Sequence, residues 1–316
     1  MRKLTSVIAV LLLMLLLSAC SRSGQAPAFP EGSTKLKVAT SFYPMYEFTR
    51  AVAGDKADIV NLVPAGVEPH DWEPTSGHIR TLNKADLFIY NGLDMEHWVE
   101  KALKSNDNKS LTAVATAEGY QLLKAAEHEE DGHGKKGEEE EWDPHVWLSP
   151  LGAIHQVGVI RDALVKVDPA NKTAYEANAA AYIGELKALD QEFRSFLPSC
   201  GKKKFFASHA AFSYLAHEYG LEQHALLGLT PEAEPKPKTM ANLVALAKAN
   251  GIQYIFFETL VSDKVTQVLA KEIGAKTLVL NPLEGLTDSE VAAGKTYLSV
   301  MRDNLSNLRI ALDCPR

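Results

Sequence analysis

The sequence predicts an α/β protein of two similar lobes, each a mainly parallel sheet flanked by helices, joined by one long rigid helix. Three observations predict this fold class. Short apolar segments alternate with amphipathic helical segments in both halves of the chain, as in parallel sheets with crossover helices. One long helical segment, residues 168–198, lies at the midpoint of the chain. The part that can form a core, about 280 residues, suits two domains better than one.

The N-terminus has the pattern of a bacterial lipoprotein. Residues 1–19 are predicted to be a signal peptide, because basic residues precede an apolar run at 7–17. That run is shorter than the roughly 20 residues that a membrane-spanning helix needs. Small residues precede Cys20, which predicts lipidation there; an ordinary signal peptide with an incidental cysteine is the alternative. Residues 20–34 read as a tether. We therefore expect an exported protein, lipid-anchored to the outer face of the cytoplasmic membrane or periplasmic.

The N-terminal lobe is predicted over residues 35–167. Parallel sheets bind ligands at the carboxyl ends of their strands. His70 follows the second predicted strand, in a loop that Pro64, Pro69 and Pro74 stiffen. The predicted strands are 36–40, 59–63 and 86–90, and the predicted helices are 41–53, 76–83 and 95–104.

An acidic segment, residues 125–141, interrupts this lobe. The stretch from Glu127 to Asp143 has as large a negative net charge as the whole chain, −7, and almost no apolar residues. This composition predicts a disordered loop. His128 and His133 lie among its carboxylates and are candidates for a weak secondary metal site, although a solvated loop without a function is the alternative. The chain carries no basic face, so nucleic-acid binding is excluded.

The connecting helix is predicted over residues 168–198. Asp168 can cap it and Pro169 takes its first position, where proline is favoured. Its apolar residues recur at spacings of three and four and form one seam. A coiled-coil dimer is one interpretation of the seam, and a rod lying across both halves of one molecule is the preferred one. The seam comprises Tyr175, Ala179, Tyr182, Leu186, Leu189, Phe193 and Phe196.

The C-terminal lobe is predicted over residues 199–316. Cys200 and Cys314 bracket it and, in an exported protein, are predicted to form a disulfide; two buried free thiols are the alternative. The predicted strands are 204–208, 222–227, 252–257 and 277–280. The predicted helices are 210–219, 240–250 and 263–273, followed by a last one that starts at 288 or 289.

Four residues are candidate metal ligands because each follows a strand or lies in a rigid turn. They are His70, His145, His209 and Glu284. Three imidazoles and one carboxylate are a complete set for a closed tetrahedral zinc site. The other histidines of the predicted lobes lie on helices or beside a strand and are not expected to bind the metal; they are His78, His97, His155, His217 and His224.

The segments around these ligands resemble a known family. Residues 63–74, 143–150, 208–212 and 281–285 are similar to motifs of the zinc-uptake solute-binding proteins of ABC transporters. The similarity covers nearly all of residues 35–312, with the acidic loop included. The resemblance implies two lobes joined by one rigid helix, with Zn²⁺ held by the four candidate ligands in the cleft. It also implies an ABC transporter permease as the partner that receives the ion.

The third ligand favours zinc over manganese. Related manganese binders tend to use two histidines and two carboxylates, whereas the third position here is His209, and imidazole suits zinc. A manganese-binding homologue or a surface adhesin stays open as an alternative. A zinc-dependent hydrolase is a less favoured one, since it would keep a bound water and use a base such as Glu284. The chain lacks a His-Glu-x-x-His helix, so the sequence predicts a carrier and not an enzyme.

Overall fold

The structure, a computed structural model, describes residues 26–124, 142–231 and 237–315. The predictions for the signal peptide, for Cys20 and for the acidic loop with His128 and His133 lie outside these residues. Among the helices of the described residues, none is both long enough and apolar enough to cross a membrane.

The N-terminal lobe is built on a four-stranded parallel sheet. Its strands are β1 (Leu36–Thr40), β2 (Ala57–Asn61), β3 (Leu87–Tyr90) and β4 (Thr112–Ala115), in the spatial order β2-β1-β3-β4. Its helices are α1 (Tyr43–Ala53), α2 (Ser76–Leu82), α3 (Val99–Lys104) and α4 (Pro150–Val167). The central strands β1 and β3 are almost wholly buried, as expected for a sheet covered on both faces.

Several boundaries in this lobe differ from the predictions, in which β4 and α4 had no counterpart. β2 begins at Ala57 and not at residue 59. β2 ends at Asn61 and not at Val63, although the N–H groups of Leu62 and Val63 still donate to carbonyls at the end of β1. α3 begins at Val99 and not at residue 95. The physical reason is that residues 92–99 form turns: the N–H of Met95 donates to the carbonyl of Gly92 and the N–H of Val99 to that of Glu96, three residues back and not four.

The connecting helix, α5 (Lys172–Phe196), has a short 3₁₀ helix at each end, Pro169–Asn171 and Leu197–Ser199. Six of the seven seam residues are buried and Phe196 is partly buried. The helix packs against α1 and α4 of the N-terminal lobe and against α10 (Tyr297–Ala311) of the C-terminal lobe. The seam is therefore covered by the chain's own lobes, which confirms the rod and makes the coiled-coil interpretation wrong.

The C-terminal lobe contains two parallel strand pairs. The first is β5 (Lys204–Ala207) with β6 (Glu222–Ala225), and the second is β7 (Tyr254–Phe257) with β8 (Lys276–Val279); β5 and β7 lie side by side. The helices before α10 are α6 (Ser213–Tyr219), α7 (Pro237–Ala249), α8 (Lys264–Ile273) and α9 (Asp288–Ala292). The single predicted last helix is thus two helices. Gly294 breaks it with φ of 67°, and Thr296 starts a new capping box.

The two lobes share one hydrophobic core. Its largest cluster of buried side chains runs from Phe42 and Trp147 in the N-terminal lobe, along α5, to Phe205 and Tyr297 in the C-terminal lobe. In the same lobe, a disulfide joins Cys200 to Cys314, whose Cα atoms lie 3.8 Å apart. This bond fixes the C-terminus beside the start of β5.

Candidate metal site

The structure brings the four predicted ligands together between the lobes. His70 follows β2 and His145 precedes the 3₁₀ helix Val146–Leu148, whereas His209 follows β5 and Glu284 follows β8. All four are buried, with His145 and His209 fully inaccessible to solvent. Two come from each lobe, so the cluster exists only when both lobes are in place.

One carboxylate oxygen lies close to all three imidazoles. Oε1 of Glu284 lies 3.2 Å from Nε2 of His209, 3.3 Å from Nε2 of His70 and 3.4 Å from Nε2 of His145. The Nε2 atoms of His145 and His209 are 3.4 Å apart. One donor atom from each of the four residues lies within 4.8 Å of every other.

These spacings fit a tetrahedral zinc ion. With metal–donor bonds of about 2.0–2.1 Å, the donors of a regular tetrahedron are about 3.3–3.4 Å apart. Four of the six separations between donor atoms are 3.2–3.4 Å, and all six are within 4.8 Å. The donor set is also the one that zinc accepts, borderline nitrogen with one oxygen. The residues therefore fit Zn²⁺ in both chemistry and size.

His145 is oriented by a carboxylate two residues earlier. Nδ1 of His145 lies 2.8 Å from Oδ1 of Asp143, and the same oxygen accepts the backbone N–H of His145 at 2.9 Å. Nδ2 of Asn91 donates to the carbonyl of Pro144 at 2.9 Å. Because Nδ1 is engaged in this way, Nε2 points toward the cluster with its lone pair free for a metal.

His209 has an equivalent partner from another strand. Its Nδ1 lies 2.6 Å from Oε1 of Glu258, the residue directly after β7. The hydroxyl of Ser208 and the backbone N–H of His209 donate to the same oxygen. The carboxylate of Glu258 thus fixes both the ring and the backbone of this ligand.

His70 is held through its backbone. The N–H of His70 donates to Oε1 of Glu68 at 3.0 Å, and the N–H of Asp71 donates to the other oxygen at 3.3 Å. Burial and the negative charge of Glu284 raise the pKa of Glu68 to about 7. The N–H of Gly66 donates to the carbonyl of Leu286 at 2.8 Å and so ties this loop to the opposite lobe.

The turn that carries Glu284 is strained and tightly bonded. Leu283 adopts φ of 58°, which is rare for a residue with a side chain. Its N–H donates to Oδ1 of Asn281 at 2.7 Å. Asn304 of α10 in turn binds both the N–H and the carbonyl of Asn281. This network holds the backbone in the conformation that aims the carboxylate of Glu284 at the histidines.

Electrostatics within the site pair acid with base. Burial raises the pKa of Glu284, but the charge of His209 and hydrogen bonds from all three histidines hold it well below its usual value. Burial lowers the pKa of His209, yet Glu258 and Glu284 together raise it well above normal. Burial likewise lowers the pKa of His145, but the negative charge of Asp143 outweighs burial and raises that pKa above normal. Burial is the dominant effect on His70, whose pKa is lowered.

Four other histidines of the two lobes lie outside this cluster. Nδ1 of His78 accepts the N–H of Thr75 at 3.1 Å and caps α2. His97 and His224 pair with nearby carboxylates, and His155 bonds the carbonyl of Glu118. These are local structural roles.

Sequence reasoning missed two functional residues, Asp143 and Glu258. Each binds Nδ1 of a candidate ligand, and each is buried. A signal existed for both. Asp143 stands two residues before His145 across a proline, and Glu258 directly follows a buried strand, where parallel sheets gather functional groups.

Comparisons with known proteins agree with this geometry. Residues 38–311 match the sequence profile of a family described as the zinc-uptake complex component A, periplasmic, ZnuA. The zinc-binding lipoprotein AdcA of Streptococcus pneumoniae is 44% identical over 315 residues, which are 99% of this chain and 62% of that protein. The high-affinity zinc uptake system protein ZnuA of Bacillus subtilis is 42% identical over 313 residues, 98% of each chain. This chain therefore spans about three fifths of the first relative and nearly all of the second.

A solved structure extends the likeness to three dimensions. The crystal structure of the Zn(II)-bound ZnuA-like domain of AdcA from Streptococcus pneumoniae superposes with a TM-score of 0.75 at 43% sequence identity. The match covers 88% of this chain and 99% of that one. The similarity therefore includes both lobes and the connecting helix.

Proposed function

The chain belongs to the ZnuA family of zinc-uptake components, and from this membership we propose that it captures Zn²⁺ outside the cytoplasmic membrane and delivers it to an ABC transporter permease. His70, His145, His209 and Glu284 hold the ion in this proposal. The carboxylates of Asp143 and Glu258 orient two of the imidazoles. Zinc is the cargo, taken up and released, and not a resident cofactor.

The observation that carries the proposal is the spacing of the four donor atoms. Oε1 of Glu284 lies within 3.4 Å of Nε2 of each histidine. Three imidazoles and one carboxylate at these separations describe a zinc tetrahedron. Manganese prefers more ligands, mostly oxygen, in octahedral geometry. The donor set therefore favours zinc over manganese.

The same observation favours a carrier over a hydrolase. A catalytic zinc site keeps one coordination position for water. Here Oε1 of Glu284 lies 3.2–3.4 Å from Nε2 of each histidine, the spacing expected of a fourth ligand. The carboxylate is buried among the three imidazoles. A carboxylate that acted as a general base would lie beyond the metal-bound water instead.

We further propose how the protein is placed in the cell. Lipidated Cys20 would anchor it on the outer face of the cytoplasmic membrane, with the following residues as a tether. The zinc-binding lipoprotein AdcA, 44% identical, supports this placement. His128 and His133 of the acidic segment would add weak zinc sites that raise the local ion concentration near His145.

A competition titration with a zinc chelator tests the main proposal. We expect wild-type protein to bind one zinc ion tightly. His70→Ala, His145→Ala and His209→Ala should each weaken binding by more than about 100-fold, beyond what loss of an outer-shell partner causes. Glu284→Ala should cost less, because water can take an oxygen position.

His97→Ala is the matched control, since this histidine is exposed and pairs with Asp94 away from the cluster. The zinc affinity of this variant should equal that of the wild type. X-ray absorption on the zinc complex should report four nitrogen or oxygen neighbours at about 2.0–2.1 Å. Wild-type affinity in His209→Ala, or a water ligand in the wild type, would refute the proposed site.

A further inference from the structure

The turn that carries His145, residues 143–148, belongs to the N-terminal lobe by sequence. Three hydrogen bonds nevertheless join it to the other lobe. The hydroxyl of Tyr214 in α6 donates to the carbonyl of Asp143 at 2.8 Å. The hydroxyl of Tyr297, the first residue of α10, donates to the carbonyl of Trp147 at 2.6 Å. Both helices are part of the C-terminal lobe.

A third bond crosses in the opposite direction. Nε1 of Trp147 donates to the carbonyl of Pro282 at 2.8 Å, two residues before Glu284. This bond connects the turn of His145 to the turn of Glu284 without passing through the ligands, and the two hydroxyl bonds connect it to α6 and α10. They bracket His145, since the two carbonyls lie two residues before it and two residues after it.

The bonds act on a buried turn whose partners in its own lobe are Asn91 and Leu123. His145 and Trp147 are fully inaccessible to solvent, and so is Asp143. A buried carbonyl that loses its donor keeps the whole cost of its desolvation. The turn therefore stays where the two hydroxyls place it. Because Asp143 also binds Nδ1 of His145, a displaced Asp143 carries the imidazole with it.

We propose that Tyr214 and Tyr297 are positioning residues that set the metal preference of the site. From across the cleft they hold Nε2 of His145 at tetrahedral spacing from Glu284 and His209 before any ion arrives. A six-coordinate ion such as Mn²⁺ needs additional oxygen ligands and more space. The two hydroxyl bonds oppose the widening that would admit it. The inference rests on the proposed zinc function and names residues that decide its selectivity.

The test uses variants that remove one oxygen atom each. They are Tyr214→Phe, Tyr297→Phe and the double variant, in the full chain. Tyr219→Phe is the control for Tyr214, since Tyr219 lies on the same helix, is similarly buried, and bonds Oδ1 of Asp190 at 3.0 Å. Tyr175→Phe is the control for Tyr297, since it is fully buried and bonds Oδ2 of Asp168 at 2.7 Å.

Two readouts separate positioning from general stability. The first is the ratio of the Zn²⁺ and Mn²⁺ dissociation constants. We expect the preference for zinc over manganese to be about tenfold smaller in the double variant, as the loss of two hydrogen bonds would allow. The second is the visible spectrum of the Co²⁺ complex, which should lose intensity as the geometry departs from tetrahedral. The two control variants should keep both the ratio and the spectrum of the wild type.

The outcomes are distinguishable. Wild-type protein that binds no zinc tightly refutes the proposed function itself. Tight zinc binding with an unchanged ratio and spectrum in the double variant overturns the positioning inference alone. Equal changes in the control variants also overturn it, because the effect would then be a general loss of stability. If the double variant does not fold, Tyr214→Phe decides by the same criteria, with an expected change of a few-fold.

Discussion

Nδ1 of His209 lies 2.6 Å from Oε1 of Glu258, and both residues are buried between the lobes. The carboxylate directly follows β7, whereas the imidazole follows β5. Two neighbouring strands of the C-terminal lobe thus supply a metal ligand and the group that orients it. Carboxylate partners of this kind fix the tautomer of a metal-bound histidine and raise its basicity.

Glu258→Gln should weaken zinc binding by about 10–100-fold, the usual cost of losing such a partner. The amide keeps the volume but not the charge that favours the metal-bound imidazole. Competition titration measures the effect. Glu272→Gln, at an exposed carboxylate that pairs with Lys248, is the control and should bind as the wild type does. An unchanged affinity in Glu258→Gln would show that the contact does not support the ligand.

Zinc affinity should fall steeply as the pH drops from about 7 to 5, because protons and zinc compete for imidazole nitrogen. The carboxylates hold the pKa values of His145 and His209 above normal, despite burial. The metal-free site therefore keeps its protons above the ordinary imidazole pKa of about 6.5, and the decline should already be under way near neutrality. Titrations at constant salt across this range, with proton release measured by calorimetry, provide the check. Affinity that is independent of pH would contradict a three-histidine site.

Gly152→Ala should displace the turn of His145. A Cβ at this position, in the first turn of α4, would lie 2.1 Å from the carbonyl oxygen of Val146, which is a severe clash with backbone. We expect a lower melting temperature and at least about tenfold weaker zinc binding, since the neighbouring ligand must move. Gly158→Ala in the same helix meets no atom within 4 Å and should be neutral or stabilising. Equal behaviour of the two variants would refute the close-approach argument.

Loss of the disulfide should destabilise the protein by roughly 2–5 kcal/mol. Cys200 and Cys314 are 114 residues apart in sequence, so the bond restricts a long loop of the unfolded chain. The measurement is chemical unfolding of Cys200→Ser/Cys314→Ser beside Cys20→Ser, which should match the wild type. Two reactive thiols at these positions in unreduced, denatured protein would show that the bond does not form in the exported protein.

Deleting residues 128–140 should leave the tight zinc site intact and remove any weaker zinc equivalents. The flanks of this segment already meet, because Lys124 and Trp142 form an antiparallel bridge and the N–H of Asp143 donates to the carbonyl of Leu123. Four residues then remain to close the turn. Calorimetric zinc titration decides the question. Loss of the tight site would mean that the segment supplies a primary ligand, and persistence of all weak equivalents would mean that it gathers no zinc.

The sequence was sufficient for most of the architecture because its signals were local, but β4 and α4 were not predicted. Gly54, Gly220 and Gly274 end helices in the structure where the pattern of the chain placed those ends. The seam of α5 predicted its buried face because a helix of this length turns one side to the core throughout. Element boundaries were less accurate, as at α3, because the turns before that helix are fixed by the buried carboxylate of Glu96, which accepts the N–H groups of Asn91 and Gly92.

The four ligands could be proposed from strand ends and proline turns, but the contacts that support them from other strands and from the opposite lobe could not. Glu258 meets His209 through the adjacency of β5 and β7, which are separated by three other elements of the chain. The hydroxyl of Tyr214 meets Asp143 across the cleft, at a separation of 71 residues. Contacts of this kind depend on how the lobes pack, and no local spacing encodes them.

The hydrophobic core that runs through both lobes limits how the cargo can leave. Swinging the lobes apart would expose the packed faces of Phe42, Trp147 and Tyr297 to water. Exposure of even about 200 Å² of apolar surface costs about 5 kcal/mol, at roughly 25 cal/mol per Å². We therefore expect the ion to depart through small displacements of the ligand-bearing turns. In the proposed function, the transporter permease would then displace those turns from outside while the two lobes stay packed together.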